Sequence, residues 1–202
     1  MHGAGVVAAA VLGYLLGSLP SADLASRIAT TGRVDLRRSG SGNPGATNAA
    51  EVLGARWGIA VLVIDIAKGV AAAFVGRALA GDIGAYTGAT LAIVGHIVPP
   101  WSRFRGGKGA ATSAGACLAV FPVYFPIYIA LAAIVAKTTH RAEFTAQVSG
   151  GAWVAASIAW WAASLPNGWG PQPGLGLPGF TVASTAMILA KFAVARKAPQ
   201  SA

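Results

Sequence analysis

Two glycine-rich polar loops hold most of the side chains in this chain that could do chemistry. The first runs Arg37-Arg38-Ser39-Gly40-Ser41-Gly42-Asn43-Pro44-Gly45-Ala46-Thr47-Asn48, and the second runs Phe104-Arg105-Gly106-Gly107-Lys108-Gly109-Ala110-Ala111-Thr112. Gly40, Gly42 and Gly45 let backbone N–H groups turn toward an anion, and Ser41, Asn43, Thr47 and Asn48 add side-chain donors. A helix starting near Thr47 would point its N-terminus at the same anion. In the second loop Lys108, between Gly107 and Gly109, is a point charge suited to phosphate, with Arg105 and Gly106 beside it. The GxxxxGK[ST] spacing of a nucleotide-binding P-loop is missing. The arrangement points to chemistry on phosphorylated substrates.

Three further positions stand out. Asp65 and Lys68 are spaced i, i+3 on one helix face, roughly 12 Å along the helix from Trp57 and inside an apolar run. Charge at that depth is a functional signal or a bracing ion pair. His96, in Gly95-His96-Ile97, could bind phosphate or move a proton. Ser18 precedes Pro20 and either bonds back to its helix or supports the site. Asp23 and Arg27, at i, i+4, are expected to pair. No His/Cys/Asp/Glu cluster has metal-ligand spacing, there is no G-x-S-x-G elbow, and the six acids give paired-carboxylate catalysis few candidates. Acyl or phosphoryl transfer through positioning and charge neutralisation remains, with no metal and no cofactor expected.

The elements that must position these residues are apolar helices. The 202 residues are 55% hydrophobic and 10% charged, with a mean hydropathy of +0.62. Soluble domains carry about 25% charged residues. The composition reads as an all-α, polytopic integral membrane protein forming a single domain over residues 1–202. Candidate spans are 4–26, 57–80, 84–100, 108–121, 122–137, 146–165 and 178–195. The pair around Pro122 and Pro126 is either two short helices or one kinked one. Seven spans put Arg33/Arg37/Arg38/Arg56, Arg103/Arg105/Lys108, Lys137/Arg141 and Arg196/Lys197 on one side, which places the N-terminus outside and the C-terminus in the cytoplasm. The net charge of +9 is thereby accounted for by topology, and no nucleic-acid partner is expected. Cys117 reads as a small core residue, and the N-terminus lacks the basic region of a cleavable signal.

In order and spacing, these motifs resemble the acyl-phosphate-dependent glycerol-3-phosphate acyltransferases of bacteria, the PlsY type. The resemblance runs from Tyr14-Leu15-Leu16-Gly17-Ser18-Leu19-Pro20 through Asp35-Leu36-Arg37, the first loop and Asp65-Ile66-Ala67-Lys68-Gly69, to the block from His96 to Thr112. It implies seven helices in a bacterial plasma membrane and a site facing the cytoplasm. It also implies transfer of an acyl chain from acyl phosphate to the 1-hydroxyl of sn-glycerol 3-phosphate, giving lysophosphatidic acid and phosphate. On that basis Ser41, Gly42, Asn43, Thr47 and Asn48 hold phosphate. Lys108 with Gly106 and Gly107 neutralises the substrate phosphates, and His96 supports the pocket. The substrate hydroxyl attacks the mixed anhydride without a protein nucleophile.

Three places depart from the family. Glu51 stands where the family has an arginine three residues after Asn48. Residues 140–147 do not carry the family's serine motif, and residues 190–197 lack its histidine and asparagine. The alternative these departures support is a non-catalytic paralogue that binds a phosphorylated ligand or regulates lipid synthesis.

Overall fold

The computed structural model describes residues 2–197, with the side chains of His2, Arg196 and Lys197 outside the description. The basic flank expected at Arg196 and Lys197 therefore lies outside the described side chains. Eight α-helices and one 3-10 turn make up the described chain: α1 (His2–Gly17), α2 (Ser21–Thr30), α3 (Ala46–Leu53), α4 (Ala55–Ile97), α5 (Ala110–Val120), α6 (Phe125–Thr139), α7 (Ala142–Ala162) and α8 (Gly176–Lys197). Three helical stretches are long and apolar enough to cross a membrane: Gly3–Thr30, Ala55–Ser102 and Gly176–Ala195. Contacts divide the chain into two compact units, one ending at Ala116 and the other starting at Cys117.

The first unit follows from where its helices break. Between α1 and α2, Pro20 has no N–H to give a continuing helix, and Ser18 donates its hydroxyl back to Leu15 O at 2.8 Å. The long α4 is interrupted at Ala80 and Gly81, where Gly81 takes φ +61°. Its two halves then fold back on each other. Gly76 and Gly84 touch backbone to backbone, and a Cβ on Gly88 would strike Ala72 O. In an unbroken helix, residues 72 and 88 would lie roughly 24 Å apart. The turn expected at Gly81-Asp82 is thus a helical hairpin.

Small residues set the spacing of this packing. Against α1, a Cβ on Gly13 would meet Gly88, one on Gly17 would meet Ala92, and one on Gly95 would meet Tyr14 O. On the other side of α4, Gly69 lies against Thr112 O and Gly115 against Ile66 O, which docks the start of α5. In lipid, apolar burial does not drive helices together, and close backbone approach through Gly and Ala takes its place. A separate apolar cluster of Ala22, Ala25, Leu36, Ala49 and Val61 ties α2, the first loop, α3 and the start of α4 into one body.

The second unit is held by aromatic rings and buried hydroxyls. Phe121 and Trp153 are almost fully buried; Trp153 packs edge-on against Phe180 at 5.3 Å and tilted against Tyr128 at 5.4 Å. Ser157 and Thr181 share a buried hydrogen bond of 2.7 Å between α7 and α8. Asn167 donates to Val120 O and Pro171 O and so pins the Pro/Gly-rich loop before α8. The segment around Pro122 is a turn between two separate helices, α5 and α6.

Gly88→Val forces a side chain into the α1–α4 contact, a small-to-large change that costs about 3 kcal/mol. The expected outcome is a drop of at least about 5 °C in the unfolding midpoint. Loss of the helical circular-dichroism signal during heating measures it, and an unchanged midpoint would contradict this packing.

Candidate functional site

Where α1, α2 and the end of α4 meet the two glycine loops, an open cleft of about 270 Å³ forms. Ser18, Arg37, Pro44, Lys68, His96 and the pair Gly106-Gly107 border it. The cleft lies wholly within the first unit.

Behind the cleft is Asp65, 1% exposed. Its Oδ1 accepts from Ser21 Oγ at 2.6 Å and from Lys68 Nζ at 2.9 Å, and His96 Nδ1 lies 3.6 Å away. That last distance is long for a hydrogen bond and within ion-pair reach. Lys68 also donates at 3.2 Å to Leu19 O, which at the α1–α2 break accepts from Ser21 N at 2.9 Å as well. Asp65 and Lys68 therefore form the expected pair, and they also tie α4 to the first residue of α2. Ser18, fully buried, accepts from Trp101 Nε1 at 3.0 Å, and Tyr14 donates to Val98 O at 2.9 Å. These two bonds hold the end of α4 against α1.

The first loop is organised by Asn48. Its amide donates to Leu36 O at 2.9 Å and Ser39 O at 3.0 Å, and its Oδ1 accepts from Ser41 N at 2.8 Å. Gly40 has φ +58°, and a Cβ there would strike Asn48 Oδ1, so glycine is required twice over. Gly42 also has positive φ, +69°. α3 begins at Ala46 after Gly45, so Thr47 sits in its first turn, exposed. Ser41 is exposed and Asn43 half-buried; of this loop, Arg37 and Pro44 reach the cleft wall.

The second loop packs against the end of α4. Gly106 N donates to Ile97 O at 3.1 Å, and a Cβ on Gly106 would meet His96 O. Gly107 lies against His96 Nε2 and beside Pro44 O, so here the two loops and the histidine ring converge. Gly109 has φ +85° and leads into α5, with Lys108 half-buried just before it and Arg105 exposed.

Arg37 joins both loops, a role its place in a basic flank did not reveal. Its guanidinium grips Asp23 on α2 with both terminal nitrogens and donates through Nε to Arg105 O at 2.7 Å. The expected Asp23–Arg27 pair is thus replaced: Asp23 turns to Arg37, because a bidentate fork outcompetes an i, i+4 contact on an exposed helix face. Ser21 and Trp101 are further site residues that sequence reasoning missed. Neither lies in a motif that marks it as a site residue. Glu51 is exposed on α3.

Asn48→Ala removes a donor–acceptor set that satisfies three backbone groups, each worth about 1–3 kcal/mol when left bare. Hydrogen exchange at the Ser41 amide is expected to accelerate at least about tenfold, read by mass spectrometry of peptides covering residues 37–48. Unchanged protection would show that the loop holds its shape without Asn48.

The family model described as glycerol-3-phosphate acyltransferase matches residues 7–198. The glycerol-3-phosphate acyltransferase of Symbiobacterium thermophilum is 41% identical over 135 residues, covering 67% of this chain and 66% of the relative, so the match spans just under two thirds of that protein. A crystal structure of PlsY, an integral membrane glycerol 3-phosphate acyltransferase, in its glycerol 3-phosphate form superposes with a TM-score of 0.74 at 26% identity over 94% of this chain and 88% of that one. Its lysophosphatidic acid form gives 0.72 at 25%, over 92% and 87%. With the family model matching residues 7–198 and with helices long and apolar enough to cross a membrane, this chain belongs to the glycerol-3-phosphate acyltransferase family.

Proposed function

We propose that this chain transfers an acyl group from acyl phosphate to the 1-hydroxyl of sn-glycerol 3-phosphate, giving lysophosphatidic acid and inorganic phosphate, as a step of phospholipid synthesis. The observation that carries this reading is the meeting of both glycine loops with Lys68 and His96 at one cleft, in a chain of this family. In the reaction the acceptor hydroxyl oxygen attacks the acyl carbonyl carbon. The carbon–oxygen bond to phosphate breaks, and the hydroxyl proton leaves with the departing phosphate. Both substrates carry phosphate, so positioned N–H groups and fixed cations provide catalysis by charge stabilisation. Ser41, Asn43 and Lys108 act on the phosphates, with the backbones of Gly40, Gly42, Gly45, Gly106, Gly107 and Gly109 shaping the approach. Thr47 and Arg105 add donors for the same phosphates, Asn48 closes the first loop on itself, and His96 lies where the loops converge. Ser18, Asp65 and Lys68 brace the cleft from α1 and α4.

The same reading sets the chain in a bacterial plasma membrane with seven spans, N-terminus outside, and the cleft facing the cytoplasm. The segregation of Lys and Arg into alternate loops supports this orientation. Glu51, an exposed carboxylate in place of the family's arginine, favours one second reading, a diverged protein that binds a phosphorylated ligand without turning it over.

Detergent-purified protein given palmitoyl phosphate and glycerol 3-phosphate is expected to form lysophosphatidic acid. Lys108→Ala is expected to lower the rate by about 100-fold, the scale seen when one charge-stabilising donor is removed. No product from folded protein, beside an active relative in the same assay, would refute the acyltransferase and leave the binder.

A further inference from the structure

Lys68 combines burial with access to the cleft. The residue is 4% exposed, yet it borders the cleft wall, while its partner Asp65 does not. An ammonium has three N–H donors. One goes to Asp65 Oδ1 at 2.9 Å and one to Leu19 O at 3.2 Å. Asp65 in turn serves Ser21 and Lys68 and faces His96, so its charge is shared among several groups. The charged side chains on the cleft wall itself are Lys68, Arg37 and Asp23, with His96 beside them; two cations face one carboxylate. A pair that only braced the bundle could be replaced by apolar side chains at little loss. It would not need to set its cation, rather than its anion, at the edge of an open space.

We propose that Lys68 is a substrate-binding residue whose third N–H holds an oxygen of a phosphate dianion in the cleft, with Asp65 as the positioning residue that fixes the ammonium from behind. The choice of a phosphorylated ligand rests on the acyltransferase reading. Ser18 and the backbones of Gly106 and Gly107 border the same space. A dianion there would meet a charge-assisted donor from α4 and the backbone of the glycine loop that borders the same cleft.

The test measures binding of inorganic phosphate and of glycerol 3-phosphate, separately, to the full chain in detergent by calorimetry. Lys68→Gln is expected to weaken both at least about tenfold, the loss of one charge-assisted bond, and Lys68→Arg to recover most of it. Lys68→Gln leaves Asp65 buried without its cation and could unfold the protein. The charge-neutral double variant Asp65→Asn/Lys68→Met avoids this and is expected to fold and bind at least about tenfold more weakly. A folded double variant with wild-type affinity overturns the proposal. A second readout uses the wild type alone: the selectively labelled ¹⁵Nζ resonance of Lys68 is expected to move on titration with phosphate, and a stationary resonance overturns the proposal without any variant. Wild-type protein that binds neither probe overturns the phosphate cleft itself. Wild-type and Lys68 variants that bind alike overturn this inference alone.

Discussion

The first unit depends on satisfying one buried carboxylate. Asp65 lies inside an apolar helix where an unpaired charge is costly, so donors must be brought to it. Ser21 at the start of α2 and Lys68 one turn along α4 donate to it, and His96 at the far end of α4 faces it at 3.6 Å. Serving all three at once requires α4 to fold back at Ala80-Gly81 and α1 to break at Pro20. The cleft is what remains between the elements that this arrangement draws together. Its wall carries the cation and the imidazole because the carboxylate occupies the protein side of both.

Glycine sets how closely the pieces approach. On α1 and α4 the glycines bring backbones together so that the ends of both helices reach the cleft in register. In the loops they do a different task. Gly40 yields to Asn48, and Gly107 yields to the ring of His96. A methyl group at either place would displace a side chain that organises the site. The same residue type thus serves helix contact in the membrane and backbone curvature at the surface, and position in the chain tells them apart.

Much of this was legible in the residues. The turn at Gly81 fell between two expected spans, and the run around Pro122 was open between two short helices and one kinked one. Pro20 lay inside the span 4–26 that the structure divides into α1 and α2. Proline and glycine act locally, through a missing N–H or a permitted positive φ. The i, i+3 spacing of Asp65 and Lys68 announced their contact. Tertiary partners were less visible. Asp23 had Arg27 one turn away, but Arg37 reaches it from a loop with a better fork. Asn48 read as one more donor for an anion, whereas its amide is used on the loop's own backbone. Ser21 and Trp101 carry no motif at all; their roles arise from which helix ends meet. Side chains that close a loop on itself and side chains that grip a ligand have the same chemistry, and spacing does not separate them.

On the proposed function, this cleft, assembled around Asp65, holds the phosphate of the acceptor. A structure of the full chain in lipid, determined with glycerol 3-phosphate, tests it directly. Phosphate density is expected between Lys68 Nζ and the backbone of Gly106-Gly107, with His96 alongside and the Asp65 contacts intact. Ligand bound away from that cleft, or an ordered cleft left empty at saturating glycerol 3-phosphate, would contradict it.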